Sequence, residues 1–218
     1  MAEVKIAADS GGGSVGLVGP ASTTSNAAVQ FKLPVADGSA NQHLKTDGSG
    51  QLGWVTEGVG GKILQVTGWT KTNTASYTVD EGGESAVPMS HSITPSATSS
   101  KILVMYSITM GISSTAVVAL RAKVNNVNAG GVGTGDDTND NRRYVSANHY
   151  VPDADGRATV NWHWIHSPNT TSSTTYSFSM LHWVGASRTM YINRSHNDNN
   201  HVATHRAAST ITLMEIGA

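Results

Sequence analysis

The run Ala208-Ser209-Thr210-Ile211-Thr212-Leu213-Met214-Glu215-Ile216-Gly217-Ala218 decides how the rest of the chain is read. It is apolar and rich in strand-forming residues, and left loose it would fray and aggregate, so it is expected to be tied into a sheet. Ile211 and Leu213 fall on one face of such a strand, Met214 and Ile216 on the other. Residues 101–112 have the same character. Ile102, Val104, Tyr106, Ile108, Met110 and Ile112 share one face, while Leu103 and Met105 open the other before Ser107 and Thr109. A strand apolar on both faces is covered on both. In a two-layer sandwich the second cover has to be another subunit, because burying an Ile or Leu is worth roughly 1.5–3 kcal/mol. Leu103, Met105, Leu213, Met214 and Ile216 are therefore expected at a subunit contact.

Outward from these two strands, period-2 segments recur at short intervals. Lys62-Ile63-Leu64-Gln65-Val66 begins the series, and strands are predicted near 75–80, 86–93, 116–124, 143–151, 157–166, 174–184 and 189–194. No helical period runs longer than two turns. So many short strands with Gly, Asn and Asp turns predict an all-β fold, a jelly-roll-like β-sandwich head over residues 61–218.

Residues 1–60 read differently, as a Gly-rich, short-stranded stalk or anchoring segment. Gly11-Gly12-Gly13, Gly19-Pro20, Asp37-Gly38, Asp47-Gly48 and Gly60-Gly61 separate small apolar pieces. Val15 and Leu17 have strand period, as do Val29, Phe31 and Leu33 up to Pro34, and Leu52 and Trp54 give one more short strand. Asp37-Gly38 and Asp47-Gly48 suit tight turns that need positive φ. So little apolar content does not offset an ordering cost of roughly 1–2 kcal/mol per residue, so the segment is either disordered or ordered by self-association, and its regular period-2 pieces favour self-association.

Composition narrows the function classes. The 14 Lys+Arg against 15 Asp+Glu give a net charge of −1, which leaves no electrostatic footprint for nucleic acid. Charged residues are only 13 %, against roughly 25 % in ordinary domains, so Ser, Thr, Asn and Gly supply the polar surface. Without cysteine there is neither disulfide nor thiolate metal site, and oligomerisation is the expected source of robustness. Met1-Ala2-Glu3-Val4-Lys5-Ile6 is no signal peptide, and no apolar run approaches a membrane span. Synthesis in a host cytoplasm with an exterior-type composition fits a particle protein released by lysis, with no membrane insertion.

A resemblance rests on specific residues. Gly19-Pro20-Ala21-Ser22 through Phe31-Lys32-Leu33-Pro34, then Asp37-Gly38-Ser39 and Gln42-His43-Leu44-Lys45-Thr46-Asp47-Gly48-Ser49-Gly50-Gln51-Leu52-Gly53-Trp54, resembles a recurring segment of phage tail-fibre proteins, written LP…DG(S/T)…Q-x-L-x-T-D-G-x-G-x-L-x-W. His43 departs from the small apolar residue usual there. Gly61 to Val66, Ser92 to Val104, Tyr191-Ile192-Asn193-Arg194-Ser195 and Ser209 to Ile216 resemble the carboxy-terminal head of such virion fibres, cyanophage-like ones included. The resemblance implies a homotrimer in the virion, joined to other virion proteins through residues 1–60, with a head that binds a glycan or protein on the host surface. The shortness of the stalk keeps a capsid-decorating head fibre or shell-stabilising protein as the alternative.

Three constellations carry possible chemistry. Nine histidines include Trp162-His163-Trp164-Ile165-His166, His182, His196, His201 and His205, but the 163/166 and 201/205 spacings place partners on different strand faces, so no metal is expected. Asp136-Asp137-Thr138-Asn139-Asp140 and Asp153-Ala154-Asp155-Gly156 would suit calcium or a polysaccharide-cleaving acid pair. The distal Glu of a calcium loop is missing, as are the repeats of an enzymatic spike. These carboxylates are read as turn caps, and neither a cofactor nor catalysis is expected. Aromatic and amide side chains on loops are the receptor candidates: Tyr144, Tyr150, Asn139, His196, Asn199 and His201, with the 126–142 and 195–205 loops as tips. Trp162 and Trp164, two residues apart, are expected in the core.

Overall fold

The computed structural model describes residues 3–7, 14–18, 20, 22–26, 28–56, 58, 61–130, 144–183, 185–200 and 204–218. Contacts divide the chain into two units, Met1–Gly58 and Val59–Ala218.

The smaller unit holds two antiparallel hairpins. One pairs β1 (Glu3–Ala7) with β2 (Ser14–Val18), the other β3 (Gln42–Thr46) with β4 (Leu52–Thr56). The turn between β3 and β4 is organised by Asp47, whose Oδ1 accepts from the Ser49 and Gln51 amides at 2.8 and 3.2 Å, while Gly48 and Gly50 take φ of 87° and 91°. The strand predicted at Val29–Leu33 is not formed; only Lys32 bridges to Gln51, through Lys32 N–H to Gly50 O and Leu52 N–H to Lys32 O, both 2.8 Å. Asp37-Gly38 is no positive-φ turn either. Gly38 is required for a different reason, since a Cβ there would stand 2.6 Å from the Trp54 ring, whose Nε1 donates to Ala36 O at 2.8 Å.

The larger unit is an all-β, jelly-roll-like sandwich of two antiparallel sheets. Its strands are β5 (Ile63–Lys71), β6 (Ala75–Val79), β7 (Ser90–Ile93), β8 (Lys101–Ile112), β9 (Ala116–Val124), β10 (Val127–Asn128), β11 (Ala147–Val151), β12 (Arg157–His166), β13 (Thr174–His182), β14 (Arg188–Ile192) and β15 (Ser209–Ile216). In the six-stranded sheet β8 pairs on one edge with β12, and on the other with β15 and β14 end to end. Beyond these lie β5 and β6 respectively. In the five-stranded sheet β13 lies between β7 and β9, and the far edge of β9 carries β10 and β11. The chain passes from sheet to sheet at every step of β6–β7–β8–β9 and of β11–β12–β13–β14, so neither sheet completes itself locally.

The core lies between the sheets. The even-numbered residues of β8 from Ile102 to Ile112 are buried against Val118, Leu120, Tyr176, Phe178 and Met180 of the opposite sheet. Tyr106 sits edge-on to Trp164 at 5.4 Å and gives its hydroxyl proton to Ser177 O at 2.7 Å, so the phenol is satisfied inside the core. Trp164 is buried and Trp162 packs half-buried beside it, as their shared parity predicts.

β15 fills the gap between β5 and β8, and here the expected subunit contact needs correction. Its odd residues face inward, so Leu213 is fully buried with Ile211 in the core of its own chain and cannot meet a second subunit. Glu215 shares that face and is also fully buried. Its carboxylate accepts from Ser96 N–H and Oγ at 2.7 and 2.6 Å and from Gln65 Nε2 at 2.6 Å. Burial opposes the charged form, but bonds from Ser96 and Gln65 outweigh it and hold the carboxyl down at about 2. This side-chain knot fastens the 94–100 connection to β5 and β15.

Candidate functional site

The outer face of the six-stranded sheet is built by register. Ile165 of β12 stands opposite Leu103 of β8, Leu103 opposite Met214 of β15, and Met214 opposite Val66 of β5. Ile216 and Ile63 form the next pair towards the chain's entrance into the unit. The band thus crosses four strands. Leu103, Met214 and Ile216 are half-buried, whereas Val66, Ile165 and Ile63 are 56, 54 and 61 % exposed. An exposed apolar strip that crosses four strands is a candidate interaction surface. Of the expected contact residues, Leu103, Met214 and Ile216 belong to the band, Met105 lies one row inward, and Leu213 is excluded. Val66, Ile63 and Ile165 join it only because strands distant in sequence pair in this register.

The opposite end of the same face is roofed by the chain itself. A Cβ on Gly111 would lie 2.5 Å from Arg194 O, so the segment after β14 lies directly on the strand there. Asn193 anchors that segment: its Nδ2 donates to Lys71 O and Asn73 O, and its Oδ1 accepts from Ser209 Oγ at 2.6 Å.

The connections at 113–115, 152–156, 185–187 and 193–200 gather at the end of the sandwich away from Gly61. Thr115 Oγ1 donates to Pro152 O, Arg188 Nε to Ser114 Oγ, His196 N–H to Ala154 O, and Asn197 Nδ2 to Asp155 Oδ1. His196 is exposed, with Nδ1 2.6 Å from the Tyr191 hydroxyl, and Arg194 stacks over that same Tyr191 ring at 4.1 Å. Asn199 is exposed beside Asn200 at a hollow edged by Asp198, Thr204 and Arg206. Arg206 Nη2 meets Asp198 Oδ2 at 2.7 Å, and the guanidinium's hydrogen bond and charge lower the Asp198 carboxyl. In the 153–156 turn Asp153 acts as a cap, its Oδ1 accepting from Asp155 N–H at 2.9 Å, while Asp155 Oδ1 is taken by Asn197. Among the described residues no three metal-ligating side chains converge.

The four receptor candidates among the described residues do not form one site. His196 and Asn199 share the distal end, and Tyr150, 58 % exposed, lies on the outer face of the five-stranded sheet beside Val117, one residue before the strand ends there. Tyr144 is not a free loop aromatic. Its ring lies 4.3 Å beneath the Arg121 guanidinium, and its carbonyl accepts from Arg121 Nε and Nη2. Arg121 and Lys123 also bind Glu84, which accepts from Ser179 Oγ at 2.8 Å. Desolvation works against the Glu84 charge, yet bonds from Lys123, Ser179 and Arg121 bring its carboxyl to about 2. Tyr144 therefore belongs to a clamp that straps residues 84 and 144 across β9 and β13. Of the two expected tip loops, the described part of 195–205 is distal, while 126–142 begins at the Asn125-Asn126 turn, at the opposite end. Asn139 and His201 lie outside the described residues.

No protein-family model matches the chain, and no curated protein does. Among solved structures it is similar to that of the infectious bursal disease virus Gx strain. There the identity is 12 %, the TM-score 0.34, and the match covers 77 % of this chain and 39 % of that one. It is also similar to the VP2 subviral particle of infectious bursal disease virus, with 10 % identity and a TM-score of 0.32 over 77 and 40 % of the two chains. The chain thus spans about two fifths of the length of these structures.

Proposed function

We propose that the protein is a structural component of a virion, a homotrimeric phage fibre whose residues 1–60 attach it to other virion proteins and whose head faces a receptor on the host surface. The observation that carries this reading is the apolar band Ile165–Leu103–Met214–Val66, which the described residues of the larger unit leave uncovered although they roof the other end of the same sheet face. The smaller unit makes the same demand. Val29, Phe31, Leu33 and Val35 are all more than 60 % exposed, so neither unit buries its apolar surface alone. A second and third copy supply that cover, with the distal connections left free to meet a receptor. The test is the mass in solution at micromolar concentration. Three times 22.8 kDa is expected, and a stable species of 22.8 kDa would overturn the trimer. Antibody to the head, viewed by electron microscopy on particles, separates a tail fibre from a capsid decoration by where it binds.

A further inference from the structure

We propose that the middle of the outer face of the six-stranded sheet binds a short, uncharged saccharide, an inference that rests on the receptor reading above and gives it a site on the sheet instead of on the loops. Two rows of residues cross four strands there. One runs His163, Met105, Thr212, Gly68, and the next runs Asn161, Ser107, Thr210, Thr70. With strands about 4.8 Å apart and same-face residues about 7 Å apart along each strand, the side chains form a regular grid. They edge an open hollow of about 330 Å³, to which Trp162 and Tyr106 also contribute.

Three features select the ligand. No Lys, Arg, Asp or Glu lines the hollow, so apart from the His163 imidazole nothing in it favours an anion or a cation. Hydroxyl and carboxamide groups both donate and accept, which matches a ligand made of hydroxyls. The side chains of Ser107, Asn161, Thr210 and Thr212 are free for that purpose, since none has a hydrogen bond to another described residue, unlike Thr109 and Thr159 one row on, which bond each other at 2.9 Å. The Met105 side chain then gives a strip of apolar surface for the C–H face of a sugar ring.

The hollow is kept open and bounded by the fold. A Cβ on Gly68 would stand 2.9 Å from Ile211 O and 3.5 Å from Thr212 Oγ1, so the absence of a side chain there lets β5 approach without filling the row. Beyond Thr109 the segment at Arg194 closes the face, and on the other side lies the apolar band. Copies seated on the band leave the hollow beside the seam between subunits.

The experiment uses the whole chain and the double variant Thr210→Val with Thr212→Val, which keeps side-chain shape and strand preference while removing both hydroxyls, with Asn161→Ala as a second variant. Binding of maltohexaose, cellohexaose and mannohexaose is followed by saturation-transfer NMR, with sialyllactose as the charged comparison. At least one neutral oligosaccharide binds the wild type, and each variant loses at least tenfold in affinity with mass and thermal transition unchanged. Equal binding by wild type and variants would overturn the site while leaving the receptor reading intact. Binding by none of the three neutral sugars, or tighter binding of sialyllactose, would overturn the ligand class. A variant whose mass falls while its sugar binding persists would make these rows a subunit contact and overturn the site. The receptor reading is judged separately, by whether labelled wild-type protein decorates the cells on which the virion grows.

Discussion

The two units solve the problem of apolar surface in opposite ways. In the larger one, residues 102 to 112 send six large side chains into a shared interior and reach zero or near-zero exposure. In the smaller one, Val29, Phe31, Leu33 and Val35 have the same alternation and stay outside, because among the described residues the segment pairs with its hairpin by backbone only at Lys32. Alternation therefore establishes that a segment has an apolar side, while the number of strands available to cover it decides whether one chain suffices. The same contrast recurs within β15, where Leu213 is covered by its own chain and Met214 is not.

The sharpest way to test that contrast is to place the same charge on each side of β15. Leu213→Asp puts an unpaired carboxylate in the core and is expected to cost more than about 4 kcal/mol, enough to remove the cooperative thermal transition of the head. Met214→Asp combined with Val66→Asp is expected to leave that transition in place and lower the mass in solution to 22.8 kDa. If the outer pair unfolds the head as thoroughly as the inner residue, the two faces are not distinct. Glu215→Gln is the mildest change. It keeps the shape but replaces an acceptor with a group that cannot serve all its donors, at about 1–3 kcal/mol. Because the folded carboxyl is held at about 2, below its value of 4.5 in the open chain, its stabilisation is complete above pH 4.5 and is lost as pH falls towards 2. The variant should lack that part of the acid sensitivity, which denaturant titrations at pH 7 and pH 3 would show.

The strands of the larger unit were legible because many carry period 2 openly, as β12 and β15 do along their length and β8 in its first half. The smaller unit was less so: Val29–Leu33 has the pattern of a strand but no neighbour to pair along its length. Gly38 looks like a turn glycine and is instead a space for the Trp54 ring. Glu215 was hidden by its own chemistry, since a carboxylate on the inward parity of a strand is ordinarily read as a reason to doubt the parity. The outer-face rows were out of reach for a different reason. Leu103, Met214, Val66 and Ile165 become neighbours through pairings between segments up to about 150 residues apart, and register between such segments is not written in any one of them. Tyr144 was misplaced because nothing local foretells that Arg121 will reach its ring.

The bonds from Gly61 N–H to Gly217 O and from Gly217 N–H to Lys62 O, 2.6 and 2.8 Å long, set the head's first and last strands side by side. On the ribosome this means that β5 and β8 emerge long before the strand that separates them, and the six-stranded sheet carries an open slot through its middle for most of synthesis. Rewiring the order removes the wait: a permuted head in which residue 217 runs on to residue 61, with new ends in the 113–115 turn, makes β15 and β5 a local hairpin. Such a head should refold faster than the natural order while reaching the same sandwich.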